Sequence, residues 1–136
     1  MKDYYIKTFL LLLLSIYNLN AQIVVVTNKN SQIDTISKEM IQYIYLAKTD
    51  TINGIKIKPI LSNNENLHNE FCNTVLYKSE FQYNSYWTRL VFTWRKPISE
   101  RLEWKDIVEK LKELNTIVYI DKKNVTGEWK IIYEEN

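Results

Sequence analysis

Hydrophobic and polar positions alternate along the chain in blocks that predict strands and helices in turn. The β-branched run Ile23-Val24-Val25-Val26-Thr27 has no polar interruption, which is typical of a central strand buried on both faces of a sheet. Ser37 is a good N-cap for a helix over residues 38–46, whose apolar positions share one face. The pair Asn53-Gly54 predicts a turn, and the apolar run from Ile55 to Leu61 predicts a second strand.

The middle of the chain carries helical patterns. One helix is expected to begin near Leu67, because apolar residues recur from there at helical spacing. The segment Ser79-Glu80-Phe81-Gln82 has the residues of a capping box and predicts the start of a long helix. Pro97 is expected to end that region. From Trp104 to Leu114 the apolar residues again repeat every three or four positions, which predicts another helix.

Two further strands complete the predicted order of elements. Residues 117–120 form a short buried-type run, and residues 129–133 alternate in the manner of an edge strand. Strands that alternate with helices predict an α/β fold, a layered sheet with mostly parallel core strands and flanking helices. Ligands of such sheets bind at the carboxyl ends of strands, which here are residues 28–31, 62–66 and 121–124.

The turn between Ile60 and Phe71 is the first candidate for ligand binding. A strand runs there through an Asn-rich turn into a helix N-terminus, where backbone N–H groups are free to meet a small molecule. Side-chain amides, hydroxyls and backbone N–H groups at this turn and at the end of the first strand supply the candidate contacts, which are Asn28, Asn30, Ser31, Ser62, Asn63 and Asn64.

Composition narrows the function classes. The 136 residues predict a single domain, with 46% apolar and 25% charged residues and a formal net charge of +2. No run of Lys and Arg indicates nucleic-acid binding, and two glycines are too few for a Gly-rich phosphate loop. His68 lacks a partner at metal-ligand spacing, and the single Cys72 is expected to be a buried, inert thiol. We therefore expect no enzyme, no metal site and no cofactor.

The first residues predict export. Lys2 and Lys7 precede and flank an apolar run, Phe9 to Tyr17, that is too short to span a bilayer comfortably, and Ala21 is a small residue suited to cleavage. This pattern predicts a signal peptide over residues 1–21 and a mature domain over 22–136. The alternative is an uncleaved anchor, which would be the chain's only contact with a membrane.

An aromatic block in the long predicted helix has two interpretations. At helical spacing its residues are expected to belong mainly to the core, and the alternative is an exposed stacking platform. The block consists of Tyr83, Tyr86, Trp87, Phe92 and Trp94.

Several segments together resemble the phosphate-binding periplasmic proteins of ABC transporters, in particular their short, one-lobe relatives. The more specific parts of this resemblance are the first helix and the block Tyr86-Trp87-Thr88-Arg89-Leu90-Val91-Phe92. The other parts are residues 24–28, the turn Asn53-Gly54, residues 67–71 and residues 117–120.

The resemblance implies one lobe of a type II periplasmic binding protein and a periplasmic location. In that family, phosphate is held at a helix start by hydroxyl and N–H groups and by an Arg. The matching positions here are Glu65, Asn66 and Leu67, with His68 at the position of the Arg. Glu65 would repel an anion and Leu67 has no hydroxyl, so phosphate binding does not follow from the resemblance.

Two functions therefore remain open. The first is a substrate-binding-protein-like domain that binds a small anion or another small solute weakly. The second is an interaction module of the cell envelope that has lost the phosphate site and binds an envelope or transporter protein. Nucleic acid is expected to be a partner in neither case.

Overall fold

The computed structural model describes residues 2–17, 21–94 and 99–136, and for residues 10–17 and 94 it describes the backbone alone. Five helices and seven strands follow one another along these residues. The helices are α1 (Lys2–Tyr17), α2 (Lys38–Tyr45), α3 (Glu65–Thr74), α4 (Glu80–Trp94) and α5 (Trp104–Lys110). The strands are β1 (Ile23–Asn28), β2 (Thr51–Ile52), β3 (Ile55–Lys56), β4 (Lys58–Ser62), β5 (Arg101–Leu102), β6 (Thr116–Asp121) and β7 (Trp129–Glu134). A short 3-10 turn over Lys122–Asn124 follows β6.

A five-stranded mixed sheet with the order β5-β4-β6-β1-β7 forms the centre of the domain. β4 lies parallel to β5 and to β6, with Ile60 beside Val118. β1 runs antiparallel to both of its neighbours, so that Val24 pairs with Ile120 on one side and with Glu134 on the other. The predicted α/β layered fold is confirmed, and β1 is the exception to the parallel direction of the core strands.

Helices cover both faces of the sheet because its central strands are apolar on both sides. Val25 faces a large cluster with side chains of α2, α3 and the first turn of α4. Val24 and Val26 face a smaller cluster with Ile107 and Leu111 near α5. All three valines are fully buried, as the uninterrupted β-branched run predicts. The direction of β1 is not visible in that run, since any strand buried on both faces has the same pattern.

Capping residues set the starts of the helices as predicted. Ser37 caps α2 by accepting the Met40 N–H at 3.1 Å. At α4, Ser79 Oγ accepts the Gln82 N–H at 3.1 Å, and Gln82 Oε1 accepts the Ser79 N–H at 2.9 Å. This reciprocal pair is the capping box predicted from the sequence.

The turn Asn53-Gly54 is also confirmed, and it joins β2 and β3 into a small separate hairpin. Both residues have positive φ, 50° at Asn53 and 80° at Gly54, as such two-residue turns require. The strand predicted from Ile55 to Leu61 is interrupted at Ile57. There the chain leaves its pairing with β2 and joins β6, and the Ile57 N–H donates to the Asp50 carbonyl at 2.8 Å.

Other sequence predictions have mixed outcomes. In the aromatic block, Tyr83 is buried and Tyr86 and Trp87 pack against the core. Phe92 is exposed, and the Trp94 side chain and Pro97 lie outside the described residues. Cys72 is fully buried, as predicted. The two-residue strand β5 has no signal in the sequence, because two residues are too few to show a period.

α1 contains the apolar run for which a signal peptide is predicted. Its described side chains, including Tyr4, Tyr5 and Phe9, are exposed. Over the residues that the structure describes, no helix has the length and apolar character needed to cross a bilayer.

Candidate functional site

The turn after β4 is folded by its own short polar side chains. Ser62 Oγ accepts the Asn64 N–H at 3.1 Å, and Asn64 Oδ1 accepts the Leu67 N–H at 3.1 Å. The second bond makes Asn64 the N-cap of α3. The sequence folds this way because Ser and Asn side chains mimic backbone acceptors in tight turns. The turn is therefore held in one conformation, with Asn63 exposed at its tip.

A cluster of buried polar side chains contacts the turn from the interior of the domain. The Ser62 N–H donates to the Tyr119 hydroxyl at 3.0 Å, and that hydroxyl lies 2.5 Å from His68 Nδ1. His68 Nε2 lies in turn 3.7 Å from Cys72 Sγ. The ring of Phe71 stacks on Tyr119 at a centroid distance of 3.9 Å. The end of β4, the first half of α3 and the middle of β6 are thus joined through one tyrosine hydroxyl.

The cluster fixes the protonation of His68. The Tyr119 hydroxyl accepts the Ser62 N–H and shares a second hydrogen bond with His68 Nδ1, so both polar atoms are paired in the buried cluster. Burial of the ring, with a smaller contribution from Arg101, lowers the pKa of His68 to about 4. Burial also raises the pKa of the Cys72 thiol to about 12. Both groups are therefore held in their neutral forms at physiological pH.

Arg101 forms hydrogen bonds and ion pairs with three segments of the chain beside the turn. Its Nε donates to the Ser62 carbonyl at 3.1 Å. Its two terminal nitrogens lie 3.4 Å from a Glu80 oxygen and 3.3 Å from a Glu65 oxygen. Glu65 and Glu80 stand in the first turns of α3 and α4, where negative charge is favourable. The guanidinium is therefore engaged by acceptors from β4, α3 and α4.

A cleft of about 760 Å³ opens next to the turn, at the carboxyl edge of β4 and β6. One wall is α3, which contributes a polar stripe at helical spacing. The opposite wall is formed by the end of β6, the 3-10 turn and the start of α5. We call this space the α3 cleft. Its lining residues are Ala21, Ser62, Asn63, Asn64, Asn66, Leu67, Asn69, Glu70, Asn73, Thr74, Trp104, Ile107, Ile120, Asp121, Lys123 and Asn124.

The α3 cleft is rich in amides and poor in available positive charge. Six of its lining residues are asparagines. Its charged residues are Glu70, Asp121 and Lys123, which sum to one negative charge. Lys123 Nζ lies 3.7 Å from Asp121 Oδ2, and the Lys123 N–H donates to Asp121 Oδ1 at 3.2 Å. The one ammonium group in the lining is thus paired with a carboxylate of the same lining.

The structure divides the six candidate contacts into two groups. Ser62, Asn63 and Asn64 line the α3 cleft. Asn28, Asn30 and Ser31 lie at the opposite edge of the sheet, since the antiparallel β1 ends beside the start of β6. The end of β1 therefore lies away from the ends of β4 and β6, which are parallel to each other.

The second group has local structural roles. The Asn28 amide donates to the Leu111 carbonyl at 3.0 Å, and its Oδ1 accepts the Asn30 N–H at 2.9 Å. Ser31 Oγ accepts the Ile33 N–H at 3.2 Å. These bonds hold the loop after β1 against the end of α5.

Sequence reasoning missed the polar stripe of α3 and the aromatic wall of the cleft. Asn66, Asn69 and Asn73 are spaced i, i+3 and i+7, so they share a face of the helix. That spacing is readable from the sequence and could have identified them. Trp104 comes to the cleft from α5 through tertiary packing, for which the sequence has no local signal.

Comparisons with known proteins bear on the fold. No family model matches the chain, and no curated protein matches it. One solved structure that is similar is a protein from Clostridium perfringens assigned as a phosphate ABC transporter substrate-binding protein, with bound phosphate. It matches at a TM-score of 0.63 and 18% identity, over 82% of this chain and 44% of that chain. The chain therefore shares the fold of part of a substrate-binding protein, and it spans less than half of that protein's length.

Proposed function

We propose that this chain is an exported, substrate-binding-protein-like lobe that holds a small polar solute in the α3 cleft. The observation that carries the proposal is the position of the cleft at the carboxyl edge of the parallel strands β4 and β6. This edge is where ligands of α/β sheets bind. The likeness to a phosphate-bound substrate-binding protein supports the same assignment.

The firmness of the turn favours binding over catalysis. Ser62 is fixed by Tyr119 and Arg101, and Asn64 is fixed as the cap of α3. A site whose backbone is held before the ligand arrives loses little conformational entropy on binding. The titratable groups below the turn are buried, neutral and bonded to one another, so the proposal includes no enzymatic activity.

Charge in the cleft disfavours phosphate as the solute. A helix N-terminus stabilises an anion by about 0.3–1 kcal/mol. Two like charges at about 4 Å repel by about 1 kcal/mol in water and by about 4 kcal/mol at a partly dry site. Glu70 in the wall would meet a phosphate, and Lys123 is paired with Asp121. The charges of Glu65 and Arg101 offset each other. We therefore expect any oxyanion binding to be weak.

The test is a binding screen of the full chain in which the reporters belong to the cleft. The chain is labelled with ¹⁵N, and the side-chain amide and indole signals are recorded while three solute classes are titrated. These classes are oxyanions, free amino acids and neutral polyols. We expect one class to shift the signals of Asn63, Asn66 and Trp104. The proposal fails if no class moves these signals at tens of millimolar solute.

Export has its own test. We propose that residues 1–21 are removed as a signal peptide and that the mature periplasmic domain begins at Gln22. Expression of the full chain in a Gram-negative host, with mass spectrometry of the periplasmic fraction, should give a species that starts at Gln22. A species that retains residues 1–21 in the membrane fraction would support the uncleaved anchor instead.

A second function, binding of an envelope protein, is favoured by one surface feature. Phe81 and Phe92 are 79% and 81% exposed, and their spacing of eleven residues along α4 puts them on one face of the helix. Large exposed aromatics on one face are typical of protein contact sites. A Phe81→Ser/Phe92→Ser variant should lose crosslinks to envelope proteins while its cleft signals stay unchanged. Crosslinks that persist in that variant would exclude this face as the contact.

A further inference from the structure

The α3 cleft offers paired donors and acceptors rather than charge. Asn66 and Asn73 are exposed and Asn69 is half-buried on the same helix face. Each carboxamide carries an NH₂ donor and a carbonyl acceptor. A hydroxyl group also donates and accepts one bond at a time, so a row of carboxamides complements a row of hydroxyls. An ionised carboxylate only accepts, so it would use only the donor half of each amide.

One of these amides has an unsatisfied acceptor. Among the described residues, Asn69 Oδ1 is one of two buried side-chain polar atoms without a hydrogen-bond partner. Buried acceptors in folded proteins are normally paired with a donor. This oxygen is itself buried, so a donor in the cleft meets it only if the Asn69 side chain turns toward the cleft.

The opposite wall presents an aromatic surface. Trp104 is 44% exposed and lines the cleft. Its ring packs edge-on against the buried Trp129, with ring planes at 84° and centroids 5.7 Å apart. This contact fixes the indole and leaves part of it open to the cleft. An exposed indole surface favours a ligand that has an apolar C–H face as well as polar edges.

These observations point away from ions. The charges of the cleft are one internal pair, Asp121 with Lys123, and Glu70. The neighbouring Arg101 is bound by Glu65, Glu80 and Ser62. The described lining therefore has a net charge of −1, and its one cation faces a carboxylate of the same lining. The cleft therefore favours a ligand that is bound through hydrogen bonds and through contact with the Trp104 ring.

We infer that the solute of the α3 cleft is a neutral polyhydroxylated compound of monosaccharide size. Its hydroxyls bond to the exposed carboxamides of Asn66 and Asn73, and its C–H face packs against Trp104. The inference rests on the proposed function, because it names the class of solute for the same cleft. It differs from that proposal in excluding phosphate and amino acids as the principal ligands.

The experiment titrates the full chain with D-glucose, D-xylose and myo-inositol, and separately with inorganic phosphate and with free glycine. Binding is followed through the ¹⁵N signals of the Trp104 indole and the α3 carboxamides, at low and at high salt. We expect one of the three polyols to shift these signals with an affinity that salt changes less than about twofold, because a neutral ligand is not screened. Phosphate and glycine should shift them only weakly.

Variants locate the contacts. Asn66→Ala/Asn73→Ala changes two exposed helix positions, so the chain should fold, and loss of two hydrogen-bonding groups should weaken polyol binding about tenfold. Trp104→Ala should weaken it by a similar factor, and Trp104→Phe should restore part of the affinity. Phe92→Ala, an exposed aromatic outside the cleft lining, is the matched control and should leave the affinity unchanged within about twofold.

The outcomes separate the two proposals. Cleft shifts with phosphate or glycine, and none with the polyols, would overturn the polyol inference and leave solute binding in place. Polyol affinity that survives both the asparagine and the tryptophan variants would also overturn it, since the contacts would lie elsewhere. If none of the five compounds shifts the cleft signals, the polyol inference is overturned. If no solute of the wider screen shifts them, the proposed function is overturned.

Discussion

At the scale of single residues, Tyr119 determines the shape of the candidate site. Its hydroxyl accepts the Ser62 N–H and lies against His68, and its ring stacks on Phe71. The residue is fully buried, so water cannot replace the hydroxyl if it is lost. One oxygen atom therefore connects the turn to α3.

Replacement of Tyr119 by Phe tests this role. The change leaves the buried Ser62 N–H without an acceptor, which should lower the free energy of unfolding by about 1–3 kcal/mol. Chemical denaturation followed by circular dichroism measures the loss. Tyr43→Phe is the matched control, because the Tyr43 hydroxyl bonds to Glu39 in solvent, and it should cost less than about 0.5 kcal/mol. Equal losses in the two variants would contradict the role given to Tyr119.

His68 should make stability depend on pH. The pKa of His68 is lowered from 6.5 to about 4 by burial and by Arg101, so the unfolded chain takes up the proton first as pH falls. Above pH 6.5 the neutral ring contributes its full share, about 3 kcal/mol, to the free energy of unfolding. This contribution is lost as the pH falls toward 4.

The measurement compares denaturation of wild type and His68→Gln across this pH range. Carboxylates titrate in both proteins, so the difference between the two curves isolates the histidine. The chain has a single His, and its NMR signal should titrate near 4 in the native state. A native titration midpoint near 6.5 would exclude the effect.

At the scale of elements, the β2–β3 hairpin shows how a turn depends on its residue types. Gly54 has φ of +80°, and no heavy atom lies within 4 Å of the place that a Cβ would occupy there, so its requirement is conformational rather than steric. Gly127 also has open space and is not in the left-handed region. The two glycines therefore form a natural pair for comparison.

Alanine substitutions should separate these two positions. Gly54→Ala should lower the free energy of unfolding by about 1 kcal/mol, because an L side chain is strained at positive φ. Gly127→Ala should be neutral or stabilise the domain by up to about 1 kcal/mol through the unfolded chain. Thermal unfolding of both variants measures the difference. A loss at Gly127 as large as that at Gly54 would contradict the conformational argument.

Elements with strong local signals could be predicted from the sequence. The caps Ser37 and Ser79 and the turn Asn53-Gly54 carry their information within a few residues, and all three are as predicted. The break at Ile57 and the short strand β5 could not be predicted, because both follow from a choice of strand partner. That choice is made by contacts distant in the sequence.

At the scale of the whole molecule, the sheet separates two apolar layers that share the valines of β1. Cys72 lies at the centre of the larger layer with Phe71 and Val75, all fully buried. Exposure of a thiol at this depth requires the packing of the larger layer to open. Cys72 should therefore report the unfolding of the entire domain.

Thiol labelling tests this expectation. Burial raises the pKa of the Cys72 thiol to about 12, and a protonated, inaccessible thiol does not react with a disulfide reagent. Native protein should remain unlabelled, and labelling should rise at the same denaturant concentration as the loss of circular dichroism. Ser85→Cys, at an exposed position of α4, is the positive control. Native Cys72 labelling at the rate of that control would contradict the result.

Only part of the candidate site could be predicted from the sequence, because the rest depends on strand direction and helix packing in the whole molecule. The turn from Ser62 to Asn64 is local, and its sequence indicates a strand end before a helix. The grouping of Asn28 with that turn depended on the direction of β1, which a run of valines does not encode. The contribution of Trp104 depends on the packing of α5 across β4, which no motif records.

The position of β1 also has a consequence for the order of folding. β1 lies between β6 and β7, and Val24 pairs with Ile120 and with Glu134, almost the whole domain away in sequence. Such pairings require the closure of long loops, which slows folding. The middle of the sheet cannot assemble until both later strands have been synthesised. Until β6 and β7 are made, the valines of β1 have neither of the strands that pair with them.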